Sequence, residues 1–156
     1  MSNMQVKSPL YKPLLLSIVL VLCTAATGMI FLPGAWYEAL HKPSWTPANW
    51  VFPVVWSVMY LIGIAVGTWV LRKGSRVLTI LWLIQLLFNG CWSYFVFGRH
   101  QLFLGFIDII CLWLTILLFL IKVFDRKRWV FFLFSTYLGW VSIALLLNMN
   151  LWLLNK

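Results

Sequence analysis

The sequence predicts an all-α integral membrane protein, a five-transmembrane-helix bundle with a long Trp/Pro-rich first loop, forming one domain over residues 1–156. Three observations predict it. With 63 % hydrophobic residues, 10 % charged residues and a mean hydropathy of +0.96, the chain has too little polar surface to enclose its apolar content in water. Five apolar runs, at 12–32, 51–71, 77–98, 102–123 and 129–154, each reach the length of about 20 residues that crosses a hydrocarbon core of about 30 Å. The alternating pattern of a membrane β-barrel is absent, and backbone amides in hydrocarbon must pair within their own segment, so each run is read as an α-helix.

Lys7 and Lys12 precede the first run, which ends in Cys23-Thr24-Ala25-Ala26-Thr27-Gly28 and so resembles a secretory leader. It continues through Met29-Ile30-Phe31-Leu32 and is therefore long enough to span; cleavage is the alternative. A lipoprotein-type cysteine at Cys23 is disfavoured by Leu22, where a small residue would be expected.

Between the first two runs lies the one long polar-containing connection. Residues 36–56 hold Trp36, Trp45, Trp50 and Trp56, four of the eleven tryptophans, and Pro43, Pro47 and Pro53, three of the six prolines. Proline fixes φ and supplies no amide donor, so this stretch is stiff and cannot be one continuous helix. It is expected to lid a cavity between the helices on either side.

The connections at 72–76, 99–101 and 124–128 are short enough to require antiparallel neighbours. They place Lys7, Lys12, Arg72, Lys73, Arg76, Lys122, Arg126, Lys127 and Arg128 on one side, nine of the twelve basic residues, and Lys42, Arg99 and Lys156 on the other. By the positive-inside rule the N-terminus is cytoplasmic in a bacterial inner membrane, with the first loop and the C-terminus extracytoplasmic. The net charge of +9 thus reads as orientation and contact with the anionic lipid of the bilayer rather than nucleic-acid binding.

The second span presents Trp56, Tyr60, Gly63 and Gly67 on one face, rings at the loop end and small residues deeper. The third presents Gln85, Asn89 and Trp92, with Ser93 beside them; amides turned to lipid would be unsatisfied, so this face looks inward. The fifth presents Tyr137, Trp140, Ala144 and Asn148. Each stripe alone is equally explained by helix packing. Three together beneath a Trp/Pro loop favour a cavity for a flat, largely apolar ligand, because such sites combine aromatic walls with a few convergent polar groups.

Asp108 is the one clear charge inside a span, and is either a proton or cation site or a structural residue, held in a helix-to-helix hydrogen bond or placed shallow enough to reach the headgroups. Cys23, Cys91 and Cys111 lie within apolar runs with no metal-ligand spacing, so they read as small packing residues. No nucleophile elbow or phosphate loop is present, and His41 and His100 fall in or beside loops. No catalytic or metal-binding residue is assigned. A metal-free or side-ligated tetrapyrrole is easier to place than a haem on an axial histidine.

The ordered set Trp36-Tyr37-x-x-Leu40-x-Lys42-Pro43-Ser44-Trp45-x-Pro47, Val51-Phe52, Val55-Trp56, Tyr60, Gln85-x-x-x-Asn89-x-x-Trp92-Ser93, Phe95 to Gly98, Asp108, and Tyr137-Leu138-x-Trp140 with Ala144 and Asn148 resembles the TspO/translocator protein family, also called tryptophan-rich sensory protein or peripheral-type benzodiazepine receptor. The resemblance covers about residues 14–150. It implies a five-helix membrane protein, commonly a homodimer, that binds porphyrins such as protoporphyrin IX as ligand, with no obligatory cofactor, in a pocket under the first loop. Matching positions give Trp36, Trp45, Trp56, Tyr60, Asn89, Trp92, Trp140, Ala144 and Asn148 as the ligand-binding set. It implies a receptor or carrier; light-dependent porphyrin degradation near Trp56 or Trp140 and a stress-linked regulatory role without turnover are the alternatives.

Three positions depart from the family pattern. Ala48 replaces the second proline of the loop, Thr136 replaces a proline before Tyr137 that would kink the last helix, and the end of that helix, Asn148-Met149-Asn150-Leu151-Trp152, lacks the tyrosine of the animal members' cholesterol motif.

Overall fold

A computed structural model describes residues 9–156; Lys7, one of the cations in the charge count, lies outside the described residues. In chain order the elements are α1 (Tyr11–Ile30), α2 (Ala35–Glu38), α3 (Val51–Lys73), α4 (Arg76–Ser93) running into a π-helical turn (Tyr94–Gly98), α5 (Leu102–Val123) and α6 (Arg128–Leu154). Five of them, α4 counted with its π turn, are long and apolar enough to cross a membrane. These match the five apolar runs to within two residues at each end. The protein is an integral membrane protein.

The local chemistry sets the ends. Pro13 and Pro53 each stand in the first turn of a helix, where a missing amide proton costs nothing. Ser75 caps α4, its hydroxyl accepting from the Leu78 amide at 3.4 Å. Arg72 and Lys73 close α3, and Lys122 closes α5, where cations favour the helix dipole. With Thr136 in place of a proline, α6 runs unbroken for 27 residues. Two features have no counterpart in the sequence reading: the single-turn helix α2 inside the first loop, and the π turn. In that turn the Arg99 amide reaches back five residues to the Tyr94 carbonyl at 2.8 Å, and the chain then reverses through His100 at φ 55°.

Around the bundle, α1 packs on α3 and α4, α4 on α5, α5 on α6, and α6 meets α3, which closes the ring. Lipid tails are as apolar as leucine, so close packing and interhelical hydrogen bonds hold such a bundle together. Ser17 and Thr68 join α1 to α3 at 2.7 Å, and the Trp113 indole donates to the Ser142 hydroxyl at 2.8 Å across α5 and α6. Leu61, Leu87, Ile121 and Phe132 are exposed on the outer faces, where lipid would surround them.

At the end bearing Arg72, Arg76, Lys122 and Arg128 the interior is solid, filled by Val66, Val70, Leu78, Trp82, Ile116, Phe119, Val123, Val130 and Phe134, all fully buried. Gly63 and Gly67, read from the sequence as small residues deeper in the ligand face, make this filling possible. A Cβ at Gly67 would overlap the Trp82 ring, and the Trp82 indole N–H donates to the Gly63 carbonyl at 3.2 Å. The notch in α3 is occupied by a tryptophan from α4.

Candidate functional site: the interior beneath the first loop

The first loop is tied down at several points. Trp36, in α2, stacks on His100 with ring centroids 4.1 Å apart and planes 13° from parallel. Tyr37 meets Phe97 edge-on at 5.3 Å, and Phe97 meets Trp92 the same way, so the π turn links the loop to the interior. The Lys42 ammonium lies 4.7 Å over the Tyr37 ring and donates to the Glu38 carbonyl. Burial, helped by the Glu38 carboxylate, pushes the Tyr37 phenol above its ordinary pKa. Asn155, just past α6, clamps the loop from the opposite side: its carbonyl accepts from the His41 amide and its amide donates to the His41 carbonyl, both at 2.9 Å.

Below the loop, Trp56 of α3 lies 5.8 Å from Tyr60 and 6.4 Å edge-on from Tyr137 of α6, while Phe52 meets Trp140 at 6.0 Å. A directed chain of hydrogen bonds runs beneath them. The Tyr60 hydroxyl donates to Asn89 Oδ1 at 3.4 Å, Asn89 Nδ2 donates to the Tyr137 hydroxyl at 2.7 Å, Tyr137 donates to Gln85 Oε1 at 3.1 Å, and Gln85 Nε2 donates to the Trp82 carbonyl at 3.0 Å. Nearer the loop, the Trp92 indole donates to Asn148 Oδ1 at 2.9 Å, and Asn148 Nδ2 donates to the Ala144 carbonyl. Outside these two sets, the indole N–H of Trp140 is buried with no hydrogen-bond partner among the described residues.

The structure therefore brings together Trp56, Tyr60 and Asn89 in one cluster and Trp92, Ala144 and Asn148 in a second beside it, with Trp140 against Phe52. Trp36 is half-buried on His100. Trp45 is 47 % exposed on the loop and stands apart from the others. The space between α1, α3, α4 and α6 is a gap of about 10 Å³ lined by Tyr60, Gly63, Gln85, Asn89, Tyr137 and three apolar side chains. That is room for about one water molecule. Its lining takes in Tyr60 and Asn89 of the expected ligand-binding set, and none of Trp56, Trp92, Trp140, Ala144 and Asn148.

Gln85 and Tyr137 belong to this network as fully as Asn89, yet the ligand-binding set omits them; their place on the inward stripes was the available signal. Trp82, His100 and Asn155 carried no signal, because their partners are distant in sequence. Asp108 is 5 % exposed, and its Oδ2 has no hydrogen-bond partner among the described residues. No group of three or more metal-ligating side chains gathers among the described residues.

The sequence is similar to those of known proteins. The model of the TspO/MBR family matches residues 15–153. The chain is 37 % identical over 138 residues to the protein CrtK of Rhodobacter capsulatus, covering 85 % of this chain and 86 % of that one. It is 35 % identical over 150 residues to the tryptophan-rich protein TspO of Chlorobaculum tepidum, covering 91 % and 95 %. It is 26 % identical over 124 residues to the translocator protein of Homo sapiens, covering 75 % and 73 %. A match that takes in all five spans and the aromatic interior they enclose means that this chain belongs to the TspO/MBR family.

Proposed function

We propose that the protein is a membrane receptor or carrier that binds tetrapyrroles of the protoporphyrin IX type, and similar flat apolar ligands, in the interior beneath the first loop. The observation that carries this reading is the convergence of Trp56, Tyr60, Asn89, Tyr137 and Trp140 from α3, α4 and α6 on one region under a tethered loop. Aromatic faces supply stacking to a macrocycle, and the unpartnered Trp140 N–H offers a donor that a ligand acceptor would satisfy. A gap of about 10 Å³ cannot hold a macrocycle, so binding draws on an opened form in which the Phe52 and Trp56 rings separate from α6. The measured affinity is then the intrinsic affinity reduced by the small open population.

In this reading the site needs no cofactor of its own, the surrounding bilayer and a second copy in a homodimer are the partners, and the first loop faces the extracytoplasmic side of a bacterial inner membrane. Reporter fusions at Lys156 check the orientation: alkaline phosphatase is expected to be active there and green fluorescent protein dark, and the reverse pattern would invert the topology.

Titration of the purified protein with protoporphyrin IX, in darkness and in light, tests the function. Saturable quenching of tryptophan emission with an unchanged porphyrin spectrum supports a receptor or carrier. A new pigment that forms only in light, and is lost in Trp140→Phe, supports porphyrin degradation. An absence of saturable binding at micromolar porphyrin overturns both and leaves a regulatory role without turnover.

A further inference from the structure

The hydrogen bonds at the base of the site have a direction fixed from one end. The Trp82 carbonyl can only accept, so the side chain that reaches it at 3.0 Å, Gln85, must present Nε2 there and turn Oε1 toward α6. Oε1 can also only accept, so the single proton of the Tyr137 hydroxyl, 3.1 Å away, is committed to it. The lone pairs of Tyr137 are left to accept, and at 2.7 Å they take an N–H of Asn89. Reversing this order would set Gln85 Oε1 against the Trp82 carbonyl, two acceptors with no proton between them, in a region where Gln85, Asn89 and Tyr137 are all buried. The orientation of the Asn89 amide is therefore set by a backbone carbonyl two side chains away.

The consequence appears at the other end of the amide. Asn89 Oδ1 faces Tyr60, whose hydroxyl lies 3.4 Å off, a long bond for an O–H donor. This buried carbonyl is under-satisfied, and it borders the gap of about 10 Å³ at the base of the site. We infer that Gln85 and Tyr137 are positioning residues that turn the Asn89 carbonyl toward the ligand, so that the site selects macrocycles carrying a hydroxyl or N–H donor on the edge that enters first. This inference rests on the tetrapyrrole-binding reading. An ionised carboxylate, which can only accept, is disfavoured against Oδ1, so the acidic edge of a porphyrin points outward to the loop that carries Lys42.

The test uses two porphyrins with the same propionate edge, one with 1-hydroxyethyl groups on the opposite edge and one in which those hydroxyls are methyl ethers. The ether keeps the oxygen and removes the donor. The full-length protein is expected to bind the hydroxyl form about fivefold to tenfold more tightly, the worth of one net hydrogen bond. In Tyr137→Phe and in Gln85→Ala the Asn89 amide is free to turn, and the preference is expected to fall to about one while the macrocycle still binds. Equal binding of both porphyrins by the unaltered protein overturns the inference and leaves tetrapyrrole binding intact; binding of neither overturns tetrapyrrole binding itself. A preference that survives in both variants shows that Gln85 and Tyr137 do not set it. Nuclear Overhauser contacts in the unaltered protein read the orientation without a variant: the Asn89 side-chain amide protons are expected near the Tyr137 ring, and contacts to the Tyr60 ring instead overturn the assignment.

Discussion

Asn155 and His41 stand 114 residues apart and bond through both ends of one carboxamide, which takes the His41 amide proton and supplies one to the His41 carbonyl, each at 2.9 Å. Two bonds from one side chain hold a backbone segment in position and orientation together. The clamp lies at the exposed rim, so Asn155→Ala is expected to lower global stability by about 1 kcal/mol or less. Its main effect is local: amide exchange at His41 should quicken by roughly tenfold, and porphyrin should associate faster with little change in the final extent of binding. Hydrogen exchange at residue 41 and stopped-flow quenching measure the two effects.

Within the same loop, Tyr37 gives a pH dependence whose sign is fixed. Burial and the Glu38 carboxylate raise its pKa above 10.0 in the folded loop, so the folded form holds the proton more tightly than the unfolded one. The stabilisation is complete below pH 10 and is lost as the pH rises through the raised value. Limited proteolysis within residues 33–50 is expected to accelerate in strongly alkaline buffer, and Tyr37→Phe should remove that acceleration.

Deeper in the bundle, Gly67→Ala forces a methyl group into the space of the Trp82 ring. Overpacking of this kind costs about 1–3 kcal/mol. Thermal unfolding in detergent should show the loss, and adding Trp82→Phe, with its smaller ring, should recover part of it.

Asn89→Ala removes the amide that joins Tyr60 to Tyr137. Porphyrin binding should weaken by about 1 kcal/mol, roughly a fivefold rise in Kd by tryptophan quenching. An unchanged Kd would make Asn89 a packing residue.

The spans were legible because hydropathy and length are properties of a single segment; 102–123 coincides with α5, and the inward faces of α3, α4 and α6 follow from spacings of three and four. What escaped depends on pairs of segments. The filling of Gly67 by Trp82 needs the register of α3 against α4, and no local pattern of either helix encodes it. The Asn155 clamp and the Trp36–His100 stack depend on where the ends of α6 and α4 emerge beside the loop. The π turn at Tyr94–Gly98 is one extra residue per turn in a sequence whose apolar content suits an ordinary helix equally well. Trp45 shows the limit of matching by position, for a loop tryptophan can share a family's spacing and still stand 47 % exposed in a closed conformation.

Trp82 gives the molecule the form of a cup rather than a tube. With its indole seated in α3 and hydrogen-bonded to Gly63, the half of the bundle nearest the basic end has a sealed floor. If the protein binds a tetrapyrrole as proposed, a guest admitted from above would find no way through that floor. Carriage from one face of the membrane to the other would require that floor to lift, by Trp82 leaving the Gly67 notch, whereas sensing or storage needs only the rim to open.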